Sequence, residues 1–220
     1  MRRCGLLFSF ITVGPLLFAN SVGATSITII NPSFELPAVG AGGFTDNLIT
    51  GWTVSSPGIS TAAGVFHPAA GELPPPTNGV QTAYINVGNI SQVLGATLEP
   101  DALYTLAADF LARTDCCQPW PGSELDFMAG TTVLASAFIA PGALGLGGTQ
   151  TSTVSFFSVP GNPFLGQPLE VRLLNTTNAI QINVDNVRLD FVSNIPEPAS
   201  LILVGSVLGG WIGRRRMRRR

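Results

Sequence analysis

The sequence predicts an all-β fold, a jelly-roll-like β-sandwich, and three observations carry that expectation. Charged residues make up 11% of the 220 and hydrophobic residues 45%, where an ordinary soluble domain carries ~25% charged. The 25 Gly and 17 Pro are spread along the chain, which leaves little room for long helices. Short apolar or alternating runs recur between turn residues from about residue 25 to 194, the spacing of a sandwich or jelly roll.

In chain order the expected strands are Ser26–Ile30, Gly51–Ser55, Gly64–His67, Val80–Val87, Ser91–Leu94 and Leu103–Arg113. Glu124–Ala129, Val133–Ile139, Thr151–Val159, Leu169–Asn175 and Ile180–Val192 follow. The two-residue period puts Tyr104, Leu106, Ala108 and Phe110 on one face of their strand, with Thr105, Ala107 and Asp109 on the other. In the last run the apolar residues change parity, from Ile180, Ile182 and Val184 to Val187, Leu189 and Phe191. Either a β-bulge at Asp185-Asn186 restores the face, or the strand meets two apolar layers.

The two ends read as addresses. Arg2 and Arg3 precede an apolar run from Leu6 to Phe18, and Val22-Gly23-Ala24 supplies small residues for cleavage, the layout of a secretory signal peptide over residues 1–24. At the other end Pro196-Glu197-Pro198 leads into Ala199–Gly213 and then six arginines between 214 and 220. Those 15 residues give about 22 Å of helix at ~1.5 Å each, against a hydrocarbon core of ~30 Å. The short transmembrane helix is therefore expected to lean on snorkelling arginines, which also keep the C-terminus cytoplasmic.

Segment 195–220 resembles the PEP-CTERM sorting signal of Gram-negative bacteria: a Pro-Glu-Pro box, a short apolar helix and an Arg tail. The resemblance implies processing by an exosortase as partner, transient anchoring in the inner membrane, and placement at the cell surface or in an exopolysaccharide-rich biofilm matrix. The domain between the two addresses then spans residues 25–194. Only Arg113, Arg172 and Arg188 face twelve Asp and Glu between residues 25 and 195, a net of −9. An acidic body without lysine repels nucleic acid and favours hard cations.

Asn31-Pro32-Ser33-Phe34-Glu35, Ile49-Thr50-Gly51-Trp52 and the closing Val184-Asp185-Asn186-Val187-Arg188-Leu189 resemble galactose-binding-like carbohydrate-binding modules. That resemblance implies a structural Ca²⁺ held by Glu35 and Asp185 with the help of backbone carbonyls. The segments 64–68, 83–88, 90–94 and 166–171 are similar to the Stig cyclases of hapalindole-type alkaloid biosynthesis, which use this sandwich for acid-promoted cyclisation. That chemistry needs a protonated carboxyl beside an apolar pocket, and the resemblance points to Asp185 and Tyr84.

Other templates lack parts. His67 is the only histidine, so multi-histidine zinc sites are excluded and its place before Pro68 suggests a strand end. Without lysine there is no phosphate-binding P-loop. Cys116 and Cys117 are either a vicinal disulfide or two thiols at a loop tip. Trp120, in a Pro-rich loop, is the best exposed candidate for sugar stacking, with Phe66 and Tyr84 as further ligand-binding candidates.

The sorting tail tips the expectation towards a non-enzymatic, calcium-stabilised glycan- or ligand-binding surface protein. A cyclase acting on a small hydrophobic substrate is the alternative, and a purely structural matrix protein the second.

Overall fold

The computed structural model describes residues 23–56, 58–177 and 180–193. Apart from its last two residues, the expected signal peptide lies outside them, as does the expected sorting segment 195–220. Among the described residues no helix is long and apolar enough to cross a membrane.

Each expected run overlaps a strand: β1 (Thr25–Ile27), β2 (Thr53–Val54), β3 (Ala63–Phe66), β4 (Thr82–Ile85), β5 (Asn89–Thr97) and β6 (Ala102–Leu111), then β7 (Ser123–Ala129), β8 (Thr132–Ile139), β9 (Thr149–Ser158), β10 (Pro168–Asn175) and β11 (Ile182–Ser193). They form two antiparallel sheets. The first runs β3-β4-β11-β6-β9 with β1 also on β11, and the second β2-β5-β10-β7-β8.

One apolar layer joins the sheets. Tyr104, Leu106, Ala108 and Phe110 of β6 face it as their period requires, opposite Leu125 and Phe127 of β7 and Leu169, Val171 and Leu173 of β10. Tyr104 spans the layer, its ring 5.2 Å from that of Phe127.

The parity change in β11 is a bulge. Asp185 pairs with Asp109, but the next pair is Arg188 with Ala107, so β11 carries one residue more than β6 between them. Asn186 absorbs the extra residue at φ 51°. Val184 thus stays in the core together with Val187 and Leu189. Asp185, one position along, turns to the outer face of the first sheet.

Candidate functional site

That outer face carries the site. The registers align Gly64, Tyr84, Asn183 and Leu111 in one row across β3, β4, β11 and β6. Phe66 and Thr82 are paired in the next row, where Asp185 and Asp109 are also paired. A cleft of about 240 Å³ opens over this region, lined by Phe44, Thr61, Phe66, Tyr84, Asn86, Arg113 and Gln181.

Tyr84 forms one wall, and β3 makes room for it. A side chain at Gly64 would lie 2.7 Å from the Tyr84 ring and 2.2 Å from the Thr45 carbonyl, so only glycine fits there. The Tyr84 hydroxyl donates to Thr45 O at 2.7 Å. Burial, helped by the Asp46 charge, pushes its pKa up to about 12. Tyr84 is therefore neutral, with its hydroxyl proton directed at the Thr45 carbonyl. Phe44 packs edge-on to it at 6.1 Å and is 57% exposed at the mouth. Opposite, the Arg113 guanidinium lies 4.9 Å from the centre of the Phe66 ring.

Asp185 shares the sheet face with Tyr84 but does not line the cleft. It is fully buried beneath the 77–78 segment. Its Oδ2 accepts from the Thr77 hydroxyl (3.1 Å) and Asn78 N–H (2.7 Å), and its Oδ1 from Asn186 N–H (2.6 Å). Burial outweighs these hydrogen bonds and pushes the carboxyl up to about 6. Asp109, its partner across the ladder, goes the other way. Burial raises it, but hydrogen bonds from Thr151, Asn186 and Thr77, with the Arg188 charge, leave it below its ordinary value. The two neighbouring carboxyls are thus driven apart, one towards holding a proton and one towards losing it.

Glu35 grips the same strap from its other end. Its Oε1 accepts from Val80 N–H (2.8 Å) and Gln81 N–H (2.9 Å). Gly79 is needed there, at φ 80° with a built Cβ only 2.2 Å from Glu35 Oε1. The two carboxylates of the expected Ca²⁺ site thus meet on residues 77–81, but their hydrogen-bonded oxygens face N–H and O–H donors. Ca²⁺ takes about six to eight oxygens, and among the described residues no third acidic, His or Cys side chain joins this pair. A Ca²⁺ at this pair would therefore draw its remaining oxygens from backbone carbonyls, as the resemblance implies. Where Ca²⁺ is so held, chelation is expected to lower the melting temperature by several degrees and added Ca²⁺ to restore it. An unchanged melting temperature would remove the cation from Glu35 and Asp185.

Trp120 requires a correction. Expected at an exposed loop tip for sugar stacking, it is fully buried and belongs to the core. Its loop folds inward, with Gly142 N–H donating to Trp120 O at 2.8 Å. The preceding Cys116 and Cys117 form the vicinal disulfide. Phe66 and Tyr84 do line the cleft. His67 lies just past β3 with Nδ1 2.8 Å from Val39 O. Arg113, Phe44, Asn86 and Gln181 were not singled out by the sequence reading. Arg113 left a signal, as one of three cations in an acidic body.

A family model for HpiC1-like proteins, described as HpiC1 cyclase, matches residues 25–190, well over half of the chain. The chain belongs to the HpiC1-like cyclase family. Solved structures agree with that placement. The Stig cyclase FisC from Fischerella sp. TAU, in complex with (3Z)-3-(1-methyl-2-pyrrolidinylidene)-3H-indole, is 28% identical at a TM-score of 0.68, covering 78% of this chain and 100% of its own. A cyclase from Fischerella sp. TAU in complex with 4-(1H-indol-3-yl)butan-2-one is 28% identical at 0.63, with 78% and 100% covered. The carbohydrate-binding module TmCBM61 with β-1,4-galactotriose is 13% identical at 0.50, with 75% and 98% covered, and shares the fold alone. No curated protein matches the chain. Membership in this cyclase family overturns the expectation of a non-enzymatic, glycan-binding surface protein. A sorting tail bears on where a protein goes and is silent about its chemistry.

Proposed function

We propose that this protein is a cyclase that binds a small aromatic substrate in the cleft beside Tyr84 and Phe66 and promotes ring closure by acid catalysis. The observation that carries the reading is Asp185: a fully buried carboxyl with its pKa raised to about 6, on the same sheet face as an aromatic cleft. The indole ligands held by the related cyclase structures support an indole-like substrate.

In this mechanism the Asp185 carboxyl gives its proton to the substrate, and the electron-poor centre so formed is attacked by an unsaturated side chain to close the ring. A proton lost from the cyclised cation returns to the Asp185 carboxylate. While that carboxylate exists, the N–H groups of Asn78 and Asn186 and the Thr77 hydroxyl stabilise it. Thr77 and Asn78 also cover it, so proton delivery requires this strap to shift. Tyr84 and Phe44 hold the ring and exclude water from the cation.

The test is conversion of an indole carrying an alkenyl side chain to a product of equal mass and altered retention, followed by nuclear magnetic resonance. Absence of turnover across such a series, with the protein folded, would overturn the reading.

For location we propose export, on the strength of Arg2-Arg3 with its apolar run and of the Pro196-Glu197-Pro198, apolar, Arg order. The Cys116–Cys117 disulfide supports it, since such bonds persist in oxidising compartments. Mass spectrometry of the native protein is expected to give a chain that begins near Thr25 and lacks Arg214–Arg220. An intact chain would sink the proposal.

A further inference from the structure

Arg113 is the only charged residue among the described residues lining the cleft, and its charge is already matched. Its Nε and Nη2 donate to the two carboxylate oxygens of Asp115, both at 2.8 Å. Nη2 also lies 3.3 Å from Glu72 Oε1. Glu72 is fixed in turn, because its Oε2 accepts from Ala69 N–H at 2.7 Å and its backbone carbonyl accepts from Thr114 N–H at 3.0 Å. The flat guanidinium is thereby held over the Phe66 ring, with the Arg113 side chain only 11% exposed. Two carboxylates on one guanidinium leave this corner net negative. On the Tyr84 side Asp46 adds a further negative charge, held by Thr61 N–H at 2.5 Å.

We infer that the Arg113–Asp115–Glu72 cluster makes the cleft selective by charge, admitting neutral and cationic aromatic substrates and rejecting those that carry a carboxylate. An unpaired arginine in a cleft of this size would do the opposite, since its fork matches a carboxylate in two places. Here Asp115 and Glu72 occupy Nε and Nη2, so the two-point fork is no longer open to an incoming anion, and the two carboxylates behind the guanidinium outweigh its single charge. The discrimination comes from this repulsive element rather than from any added attraction. Arg113 keeps its other role as a rigid cation over an aromatic ring.

The inference rests on the aromatic-substrate reading of the cleft, and the test separates the two. Three probes share one ring: 3-methylindole is neutral, tryptamine cationic and indole-3-propionate anionic. Calorimetric titration of the wild-type protein at low ionic strength is expected to show the first two binding at least about tenfold more tightly than the third, about what one uncompensated like charge supplies there. Asp115→Asn, at an exposed position that should not disturb folding, and Asp115→Asn with Glu72→Gln should progressively free the guanidinium. Indole-3-propionate should then gain about tenfold in affinity or more, while 3-methylindole changes little and reports that the cleft is intact. A wild-type preference for the anion, or an unchanged order in both variants, would overturn the charge selectivity and leave the aromatic cleft standing. If none of the three binds, the cleft reading falls and the selectivity falls with it.

Discussion

Replacing Asp185 with Asn is expected to lower the rate of cyclisation by about 10²–10⁴-fold, the usual contribution of a positioned general acid. The amide keeps the size of the carboxyl but only one of the two oxygens that accept separately from Asn78 N–H and Asn186 N–H, so folding is checked alongside, and it has no acidic proton to give. Binding of an aromatic probe should change little, because Asp185 lies beneath the strap and does not line the cleft. The wild-type rate should also depend on pH in a defined sense. The active form is the protonated one, so with the carboxyl raised to about 6 the rate falls as pH rises through that value and levels off below it. Asp109, held below its ordinary value, stays ionised across this window and adds no second step there. An Asp185→Asn variant with wild-type turnover, or a profile flat between about pH 5 and 7, would remove Asp185 from the chemistry.

How far the sequence carried this account differs between fold and site. The strands were legible because each is a local pattern, and the bulge because two apolar sets of opposite parity cannot share a face. Asp185 was legible for the same reason: at the bulge its side chain turns away from the core. The cleft was not, because it is a product of register. Gln181 precedes β11 and Arg113 follows β6, and they meet Phe66 and Tyr84 only through the pairings of β4 with β11 and β11 with β6. Nor could sequence spacing show that residues 77–81 strap over Asp185 and bond to Glu35, contacts separated by 107 and 45 or more positions. The enzyme question was misjudged for a different reason. The ends of the chain are strongly patterned and concern location, whereas the acid is a single aspartate whose environment exists only in the folded protein.

Trp120→Ala is expected to cost about 3–5 kcal/mol of stability, the range for emptying a large aromatic from a core. At ~2–4 °C per kcal/mol for a domain of this size, the melting temperature should fall by roughly 10 °C. The size of the loss is set by where the loop sends its side chain. A Pro-rich segment between β6 and β7 reads as surface, and surface truncations usually stay within about 0.5 kcal/mol. Here the indole is fully buried within the core that also holds Ile139 and Leu144. Its Nε1 has no hydrogen-bond partner among the described residues, so the loss is one of packing and cavity volume, and Trp120→Phe should recover a large part of it. Phe138, 57% exposed on β8, provides the matched comparison. Its truncation removes an aromatic of similar size from the neighbourhood and should shift the melting temperature by no more than a degree or two. If Trp120→Ala melts like Phe138→Ala and instead loses ligand binding, Trp120 is at the surface after all and the inward fold of residues 116–122 is wrong.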